Sequence, residues 1–242
     1  MAALITIHGF LGTPSDWSFL EKSFFEYTQH HLNLFNPCAF HPELGLWEAG
    51  KTTNNLGKEI PGRKILIGYS LGGRIALHAL IDDPTLWDAA VIISANPGLH
   101  SEEERKQRLH CDVKWSERFK QEPWEKLIED WNSQPVFSGS KARRNEKNFS
   151  RTSLAKGLVE WSLGKQDDLM GPIHKLPIPI LWITGANDNK FTSIAKVVQL
   201  SHPCSKLCVI QDAAHRVPWE QKGSFVKELR KFLEMINKKE KT

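Results

Sequence analysis

One short segment of the chain places a serine among glycines at the spacing that a sharp strand-to-helix turn requires. The segment is Gly68-Tyr69-Ser70-Leu71-Gly72-Gly73, and it follows an apolar stretch at 64–67 and precedes a helical pattern. In a G-x-S-x-G turn, the glycines let the backbone turn tightly and hold the serine hydroxyl above the end of a sheet. This context predicts that Ser70 does chemistry, whereas a purely structural glycine-rich turn would not require the partner residues described next.

A reactive serine requires a base, and the base requires a group that orients it. Asp188 comes just after the apolar stretch 178–184, and His215 comes just after the apolar stretch 206–210. The chain holds ten histidines, but only His215 has this position. Because the carboxyl ends of parallel strands meet at one edge of a sheet, we expect Ser70, Asp188 and His215 to converge there as a triad, in the chain order Ser, Asp, His.

Acyl and enolate chemistry also requires hydrogen-bond donors for the negative charge that develops on an oxygen. The loop His8-Gly9-Phe10-Leu11-Gly12 follows the first apolar stretch, and Leu71 directly follows Ser70. The backbone N–H groups of Phe10 and Leu71 are therefore the predicted oxyanion hole. For His8 itself, we expect a structural role in fastening this loop rather than a catalytic one.

Arg74 lies four residues after Ser70 on the same predicted helix. Positions i and i+4 share one face of a helix, so Arg74 is expected to face the same pocket as the serine. A buried guanidinium without a partner is costly, so it requires either an acidic partner in the protein or an anionic substrate. A salt bridge to a carboxylate above the sheet is the structural alternative.

Apolar stretches rich in β-branched residues recur along the chain, and helical patterns alternate with them. Continuous apolarity indicates strands that are covered on both faces, which predicts an α/β fold with a mostly parallel sheet flanked by helices. The predicted strands are 4–7, 32–35, 64–67, 89–94, 178–184 and 206–210, and the predicted helices are 15–26, 71–81, 193–200 and 219–236.

The alternation stops between about 97 and 175, where charged residues and four tryptophans are interspersed with helical patterns such as 102–109 and 125–131. An insertion of this kind between two strands predicts a cap over the carboxyl ends of the sheet, where open α/β sheets bind ligands. We therefore expect a core made of 1–97 and 175–242, and a helical cap, 98–174, that is an insertion rather than an independent domain. The tryptophans are expected to anchor a small core inside the cap.

Composition and length exclude several classes of protein. The 242 residues suit one α/β domain, and a net charge of +4 with 25 % charged residues does not require a nucleic-acid partner. The four cysteines have no C-x-x-C spacing, which is typical of reduced thiols in the cytoplasm. The apolar start, 1–10, reads as the first strand rather than a signal peptide, and no apolar run approaches the roughly 20 residues of a membrane span.

Residues around the serine and in the cap carry a more specific pattern. With Tyr69 and Arg74 beside the turn, the sequence resembles the synthases of 2-succinyl-6-hydroxy-2,4-cyclohexadiene-1-carboxylate (SHCHC), a menaquinone-pathway family of the α/β-hydrolase superfamily. The matching cap residues are Pro97-Gly98-Leu99, Arg105, Arg108, Asp130-Trp131 and Gln134-Pro135-Val136-Phe137. The resemblance covers nearly the whole chain and implies an α/β-hydrolase fold with a helical cap.

The resemblance also implies a reaction and a set of substrate contacts. Members of this family eliminate pyruvate from the enolpyruvyl precursor SEPHCHC and use neither a metal nor an organic cofactor. Ser70, deprotonated through His215, would then be the base, and the oxyanion donors would hold the succinyl carbonyl. For a small tricarboxylate substrate, the implied ligands are Arg74, Arg108 and Arg151, with Arg143 or Arg144 as alternatives to Arg151. Tyr69 and Trp131 would shape the pocket.

Two other functions and one departure from the family pattern stay open at this point. A carboxylesterase or thioesterase acting on a small acyl substrate would use the same triad, with Ser70 as the nucleophile of an acyl-serine. A non-catalytic receptor on the same fold is a third reading, which an intact triad disfavours. The departure is Asn36–Pro42, where relatives have a D-x-P-G-H-G turn, and it predicts that the pocket wall differs there.

Overall fold

Six parallel strands form one sheet at the centre of the molecule. The structure is a computed structural model that describes residues 2–137 and 139–239. The strands are β1 (Ala3–Ile7), β2 (Thr28–Leu32), β3 (Lys64–Tyr69), β4 (Ala89–Ile93), β5 (Ile180–Gly185) and β6 (Lys206–Ile210). Their spatial order is β2-β1-β3-β4-β5-β6, so the serine strand β3 lies in the middle of the sheet.

Helices cover both faces of this sheet. The helices are α1 (Phe19–Ser23), α2 (Gly45–Lys58), α3 (Leu71–Asp82), α4 (Glu102–Gln121), α5 (Trp124–Asn132), α6 (Arg151–Glu160), α7 (Met170–His174), α8 (Asn189–Val197), α9 (Val217–Glu220) and α10 (Lys222–Lys239). Short 3-10 turns occur at Pro14–Trp17, Pro42–Leu44, Pro135–Phe137 and Glu146–Asn148.

The strands divide the core into two apolar layers because successive side chains of a strand point to opposite faces. Leu66 of β3 packs in the layer with Ile75 of α3. Its neighbour Ile65 packs in the other layer, with Phe225 and Leu229 of α10. These layers confirm the predicted fold class, a parallel sheet with helices on both sides.

The edge strand β2 differs in position from the prediction. It spans 28–32 rather than 32–35, and its residues are exposed or half-buried. An edge strand pairs on one side only and tolerates polar residues. The prediction relied on continuous apolarity and therefore chose the apolar segment 32–35, which follows the strand. That segment still enters the core, because Leu34 is fully buried without belonging to a strand.

Helix α2 has no counterpart among the predicted elements. Its sequence carries three glycines and several polar residues, which weakens the helical pattern. The packing explains the composition: a Cβ on Gly50 would lie 2.9 Å from the backbone nitrogen of Ala79. The absence of a side chain at Gly50 therefore lets α2 pack directly against the backbone of α3.

The segment 98–174, which we call the cap, holds α4 to α7 between β4 and β5. Phe119, Trp124, Leu127 and Leu154 form an apolar cluster inside it, and Leu11 of the oxyanion loop joins that cluster. Helix α4 is longer than the predicted 102–109, and α6 was not predicted. The assignment of the cap as an insertion that does not fold by itself stays a prediction.

The described residues contain no helix with the length and apolarity needed to cross a membrane.

Candidate active site

Ser70 lies at a strained turn between β3 and α3. Its φ of 52° and ψ of −111° are rare for a residue with a side chain. The neighbouring glycines make the turn possible, because a Cβ on Gly72 would lie 2.4 Å from the carbonyl oxygens of Ile7 and His8. This close approach brings the start of α3 against the loop that follows β1, so the serine and the predicted oxyanion loop lie side by side.

The structure brings together the three residues of the predicted triad. Nε2 of His215 lies 3.1 Å from Oγ of Ser70, and Nδ1 of His215 lies 2.8 Å from Oδ2 of Asp188. The carboxylate can only accept, so Nδ1–H donates to it and leaves Nε2 to accept the proton of the serine. His215 and Asp188 are buried, which strengthens this pairing.

Asp188 and His215 lie on two loops that pack backbone against backbone. A Cβ on Gly185 would lie 2.2 Å from the carbonyl oxygen of Ala214, and the N–H of Asn187 donates to the carbonyl oxygen of Ala213 over 2.8 Å. Asp188 also begins α8, where its Oδ1 accepts the backbone N–H of Phe191 at 3.2 Å. Both carboxylate oxygens are thus held, which fixes the orientation of the imidazole.

Two backbone N–H groups beside Ser70 are available for an oxyanion. Leu71 is the first residue of α3, where N–H groups have no partner within the helix. Phe10 follows β1, and both residues line the cavity above the serine. No hydrogen bond found in the described part of the chain uses either N–H group.

His8 fastens this loop, in agreement with the structural role expected from the sequence. Its Nδ1–H donates to the carbonyl oxygen of Gly9 at 2.8 Å, and its Nε2 accepts the N–H of Leu34 at 3.1 Å. Burial lowers the pKa of His8, so the ring is neutral and both nitrogens are engaged.

A cavity of about 790 Å³ lies between the core and the cap, and Ser70 and His215 open into it. Its size is typical of a small-molecule site. Aromatic rings form much of its wall: the Tyr69 ring lies 5.5 Å from the His215 ring, and Trp131 lies 4.9 Å from Phe10. Burial raises the pKa of Tyr69, so its phenol keeps its proton and serves as a neutral wall.

Arg74 reaches the same cavity, and its guanidinium has no acidic partner. The residue is 7 % exposed, and its Nε donates to the amide oxygen Oε1 of Gln166 at 2.6 Å. Its Nη2 is buried and finds no hydrogen-bond acceptor among the described residues. Burial lowers the pKa of Arg74 to about 9, which is still above neutrality, so the side chain keeps its charge. The salt bridge considered as an alternative is therefore not formed in the described part of the chain.

Arg108 lines the cavity on the cap side. Its Nε donates to Oδ2 of Asp112 at 2.8 Å, and the same oxygen accepts the hydroxyl of Ser162 at 2.7 Å. About two-fifths of the Arg108 side chain is exposed. Its remaining N–H groups are therefore accessible to a ligand.

The structure does not place Arg151 among the described residues that line the cavity. Its Nε donates to Glu146 at 2.5 Å, and its Nη1 donates to the carbonyl oxygen of Glu122 at 2.6 Å. Those bonds join α6 to the end of α4 and explain an arginine at this position without a substrate. The two alternatives from the sequence, Arg143 and Arg144, both line the cavity.

Arg143 and Arg144 differ in their partners. Arg144 makes a bidentate ion pair with Asp16, with N···O distances of 2.8 and 2.9 Å. Arg143 is exposed, and no ion pair found among residues 2–137 and 139–239 involves it. Of the two, Arg143 has the guanidinium that is free to meet a ligand.

Two residues near the site were missed by the sequence reasoning: Arg216, which lines the cavity, and Gln166, which contacts Arg74. Arg216 follows His215 directly, its Nη2 donates to Asn132 at 2.8 Å, and its guanidinium lies 4.2 Å from the centre of the Phe137 ring. It therefore ties the histidine loop to the cap, and its place beside His215 was an available signal. Gln166 had no such signal. The unusual segment 36–42 is absent from the described residues that line the cavity, and its effect on the pocket wall stays a prediction.

Comparisons with known proteins agree with this fold. The family model for the alpha/beta hydrolase fold matches residues 2–222. A 2-succinyl-6-hydroxy-2,4-cyclohexadiene-1-carboxylate synthase of Photorhabdus laumondii is 32 % identical, and the alignment covers 97 % of this chain and 86 % of the relative. The enzyme of the same name from Serratia proteamaculans is 30 % identical, with 95 % of this chain and 92 % of the relative covered.

Solved structures show the same fold at lower identity. MenH from S. aureus superimposes with a TM-score of 0.82 at 20 % identity, covering 98 % of this chain and 94 % of that one. A thermophilic esterase from Thermogutta terrifontis, solved with malate bound, has a TM-score of 0.76 at 19 % identity, covering 98 % of this chain and 90 % of that one.

The chain belongs to the α/β-hydrolase fold family and, within it, to the family of SHCHC synthases. This membership confirms the resemblance seen in the sequence and the prediction that the protein is an enzyme of this fold. The family name is consistent with a pyruvate-eliminating lyase that acts on a small substrate.

Proposed function

We propose that this enzyme eliminates pyruvate from SEPHCHC to give SHCHC, with Ser70 as the base. The observation that carries the proposal is the buried Arg74, whose unneutralised guanidinium faces the cavity that holds Ser70 and His215. A buried cation without a carboxylate is costly, and a substrate carboxylate would remove that cost. The identity with relatives named SHCHC synthase supports the same conclusion.

The geometry suggests how each group would act. His215 takes the hydroxyl proton of Ser70, and the resulting alkoxide removes a proton from a ring carbon of the substrate. The electron pair of the broken C–H bond forms a ring double bond, and the carbon–oxygen bond to the enolpyruvyl group breaks. The leaving group takes a proton from the His215 imidazolium and becomes pyruvate. Asp188 stabilises the imidazolium in the interval.

The oxyanion donors would act on the succinyl carbonyl. As the ring carbon loses its proton, negative charge spreads onto this conjugated oxygen, and the N–H groups of Phe10 and Leu71 would stabilise it. Tyr69 and Trp131 would shape the apolar wall around the ring.

We propose that the three carboxylates of the substrate meet Arg74, Arg108 and Arg143. The guanidinium of Arg74 is buried, whereas those of Arg108 and Arg143 are partly open to solvent. Planar guanidinium groups bind carboxylates through paired hydrogen bonds, which favours arginine over lysine at such places.

A direct assay tests the proposal. Purified enzyme is mixed with SEPHCHC, pyruvate is measured by coupling to lactate dehydrogenase, and the conjugated diene is followed by its ultraviolet absorbance. Equal amounts of pyruvate and diene are expected. A neutral aryl ester is assayed in parallel, because the alternative function, a carboxylesterase or thioesterase, uses the same Ser70 and His215 geometry. Fast ester hydrolysis without pyruvate from SEPHCHC would select that alternative.

A further inference from the structure

Gln166 holds Arg74 with both ends of its side-chain amide fixed. Its Oε1 accepts from Nε of Arg74 at 2.6 Å, and its Nε2 donates to the carbonyl oxygen of Asn96 at 3.1 Å. Gln166 is 1 % exposed. A guanidinium can only donate and a carbonyl oxygen can only accept, so the orientation of the amide is unambiguous.

The partner of Arg74 is unusual when compared with those of two other arginines that line this cavity. Arg108 is paired with the carboxylate of Asp112, and Arg144 is paired with the carboxylate of Asp16. Arg74 is more buried than either, yet its partner is a neutral amide. Glutamate has the same length and shape as glutamine and would supply a negative charge. The available space therefore does not explain why residue 166 is the neutral glutamine.

A neutral acceptor has two effects on Arg74. The hydrogen bond to Nε fixes the plane of the guanidinium and brings no negative charge against it. Asp112, which is hydrogen-bonded to Arg108, acts on the charge of Arg74 only through space. Arg74 lines the cavity with its remaining 7 % exposure, so the guanidinium can meet an oxygen there, while Nη2 is buried without an acceptor. A glutamate at 166 would orient the guanidinium equally well but would neutralise it, and a substrate carboxylate would gain less by binding there.

We propose that Gln166 is a positioning and specificity-determining residue, which orients Arg74 while leaving its charge for a carboxylate of the substrate. This inference rests on the proposed function in one respect, namely that the ligand of Arg74 is anionic. Gln166 comes from the end of the cap, and Asn96 comes from the loop after β4. Because Gln166 belongs to the cap, its hydrogen bond also makes the position of the Arg74 guanidinium depend on where the cap lies.

The test uses two phosphonate probes that label Ser70 and differ only in whether they carry a carboxylate. Labelling rates are measured by intact-mass spectrometry for wild type, Gln166→Glu and Gln166→Met. The wild type is expected to label faster with the carboxylate probe. In Gln166→Glu, that preference is expected to fall by roughly tenfold or more, since a charge-assisted contact has this weight, while labelling by the neutral probe changes less than about threefold. Gln166→Met leaves the charge of Arg74 unpaired but removes the hydrogen bond that orients its guanidinium. The preference of this variant for the carboxylate probe is expected to lie between those of wild type and Gln166→Glu.

A matched control adds the same charge at the wall of the cavity, at a place that has no hydrogen bond to Arg74. Gln134 lines the cavity, and its side-chain amide donates to the carbonyl oxygen of Trp131 rather than contacting Arg74. Gln134→Glu is expected to keep most of the preference for the carboxylate probe. Thermal melting of every variant checks that Gln166→Glu is folded, and its melting temperature is expected to equal or exceed that of wild type.

The outcomes separate this inference from the proposed function. If Gln166→Glu keeps the wild-type preference, or slows both probes alike, Gln166 is only structural and the inference is overturned. Equal loss of preference in the Glu and Met variants would also overturn it, since charge would then have no part. The probes do not depend on turnover of SEPHCHC. A wild type that prefers the carboxylate probe but releases no pyruvate would disprove the proposed function and leave the role of Gln166 standing.

Discussion

Asp188 and His215 form a hydrogen bond of 2.8 Å in which both side chains are almost completely buried, with 4 % and 3 % exposure. The second carboxylate oxygen of Asp188 is also engaged, by the backbone N–H of Phe191. A proton on Nδ1 of His215 is therefore the favoured tautomer. Nε2 is left as an acceptor 3.1 Å from the Ser70 hydroxyl, which is the arrangement that a base-activated serine requires.

The first prediction concerns this tautomer. Asp188→Asn keeps the shape of the side chain, but its amide NH₂ can donate to Nδ1 and favour a proton on Nε2. We expect kcat on SEPHCHC to fall by roughly 10³- to 10⁴-fold, with KM little changed. Steady-state kinetics measures both constants. A loss smaller than tenfold would mean that Asp188 does not set the state of His215.

The second prediction separates a base from a nucleophile. If Ser70 only removes a proton, acid quenching during turnover of SEPHCHC should leave its mass unchanged. A hydrolase would instead pass through an acyl-serine. Peptide mapping by mass spectrometry is the measurement, and labelling by a phosphonate is the positive control that Ser70 is reactive. A substrate-derived adduct on Ser70 would favour the esterase alternative.

The third prediction concerns Arg74. Arg74→Ala is expected to lower kcat/KM on SEPHCHC by roughly 10- to 100-fold or more, because it removes a charge-assisted contact. Arg74→Lys should not restore the full rate, since an ammonium cannot form the paired contacts of a planar guanidinium. A neutral aryl ester should be hydrolysed slowly, and about equally, by wild type and Arg74→Ala. If both substrates suffer alike, Arg74 is holding the structure rather than a carboxylate.

The fourth prediction concerns stability in acid. His78 is fully buried, and its Nδ1–H donates to the carbonyl oxygen of Arg74 at 2.8 Å. Burial lowers the pKa of His78 to about 4, whereas the pKa of a histidine in the unfolded chain is 6.5. The unfolded chain therefore binds the proton first, so the stability present above pH 6.5 declines as the pH falls toward 4.

His78→Asn tests this effect, because the asparagine amide can still donate to the carbonyl oxygen of Arg74 but does not titrate. Between pH 7 and pH 5, wild type is expected to lose about 2 kcal/mol more unfolding free energy than the variant. Urea unfolding at the two pH values gives the comparison. Identical losses in the two proteins would show that His78 is not kept neutral by the fold.

The sequence predicted the triad because each member follows an apolar, strand-forming stretch, and the carboxyl ends of parallel strands lie at one edge of the sheet. The position of Arg74 was also predictable from a local pattern, because residues four apart lie on the same face of a helix and Arg74 is four residues after Ser70. The partner of Arg74 was not predictable. Gln166 is 92 residues away and meets Arg74 only when the cap packs on the core, and no local pattern records that contact.

The misplaced elements have similar causes. Strand β2 pairs on one side only, so polar residues such as His30 and His31 are tolerated and the apolar pattern was displaced. Arg151 and Arg143 are both cap arginines, and the choice between them depends on how the loop before α6 folds over the cavity. The structure places Arg151 against the end of α4 and Arg143 at the cavity.

The most direct test of the proposed reaction is the release of pyruvate from SEPHCHC by wild type and by Ser70→Ala, measured together with formation of the conjugated diene. Base-assisted proton transfer contributes about 10²- to 10⁴-fold, so Ser70→Ala should be slower by at least that factor. It should still bind the substrate, as measured by calorimetry, because the arginines are intact. Wild type should release one pyruvate for each diene formed. If wild type released no pyruvate, or if Ser70→Ala turned over SEPHCHC at a near-normal rate, Ser70 would not be the base of this reaction.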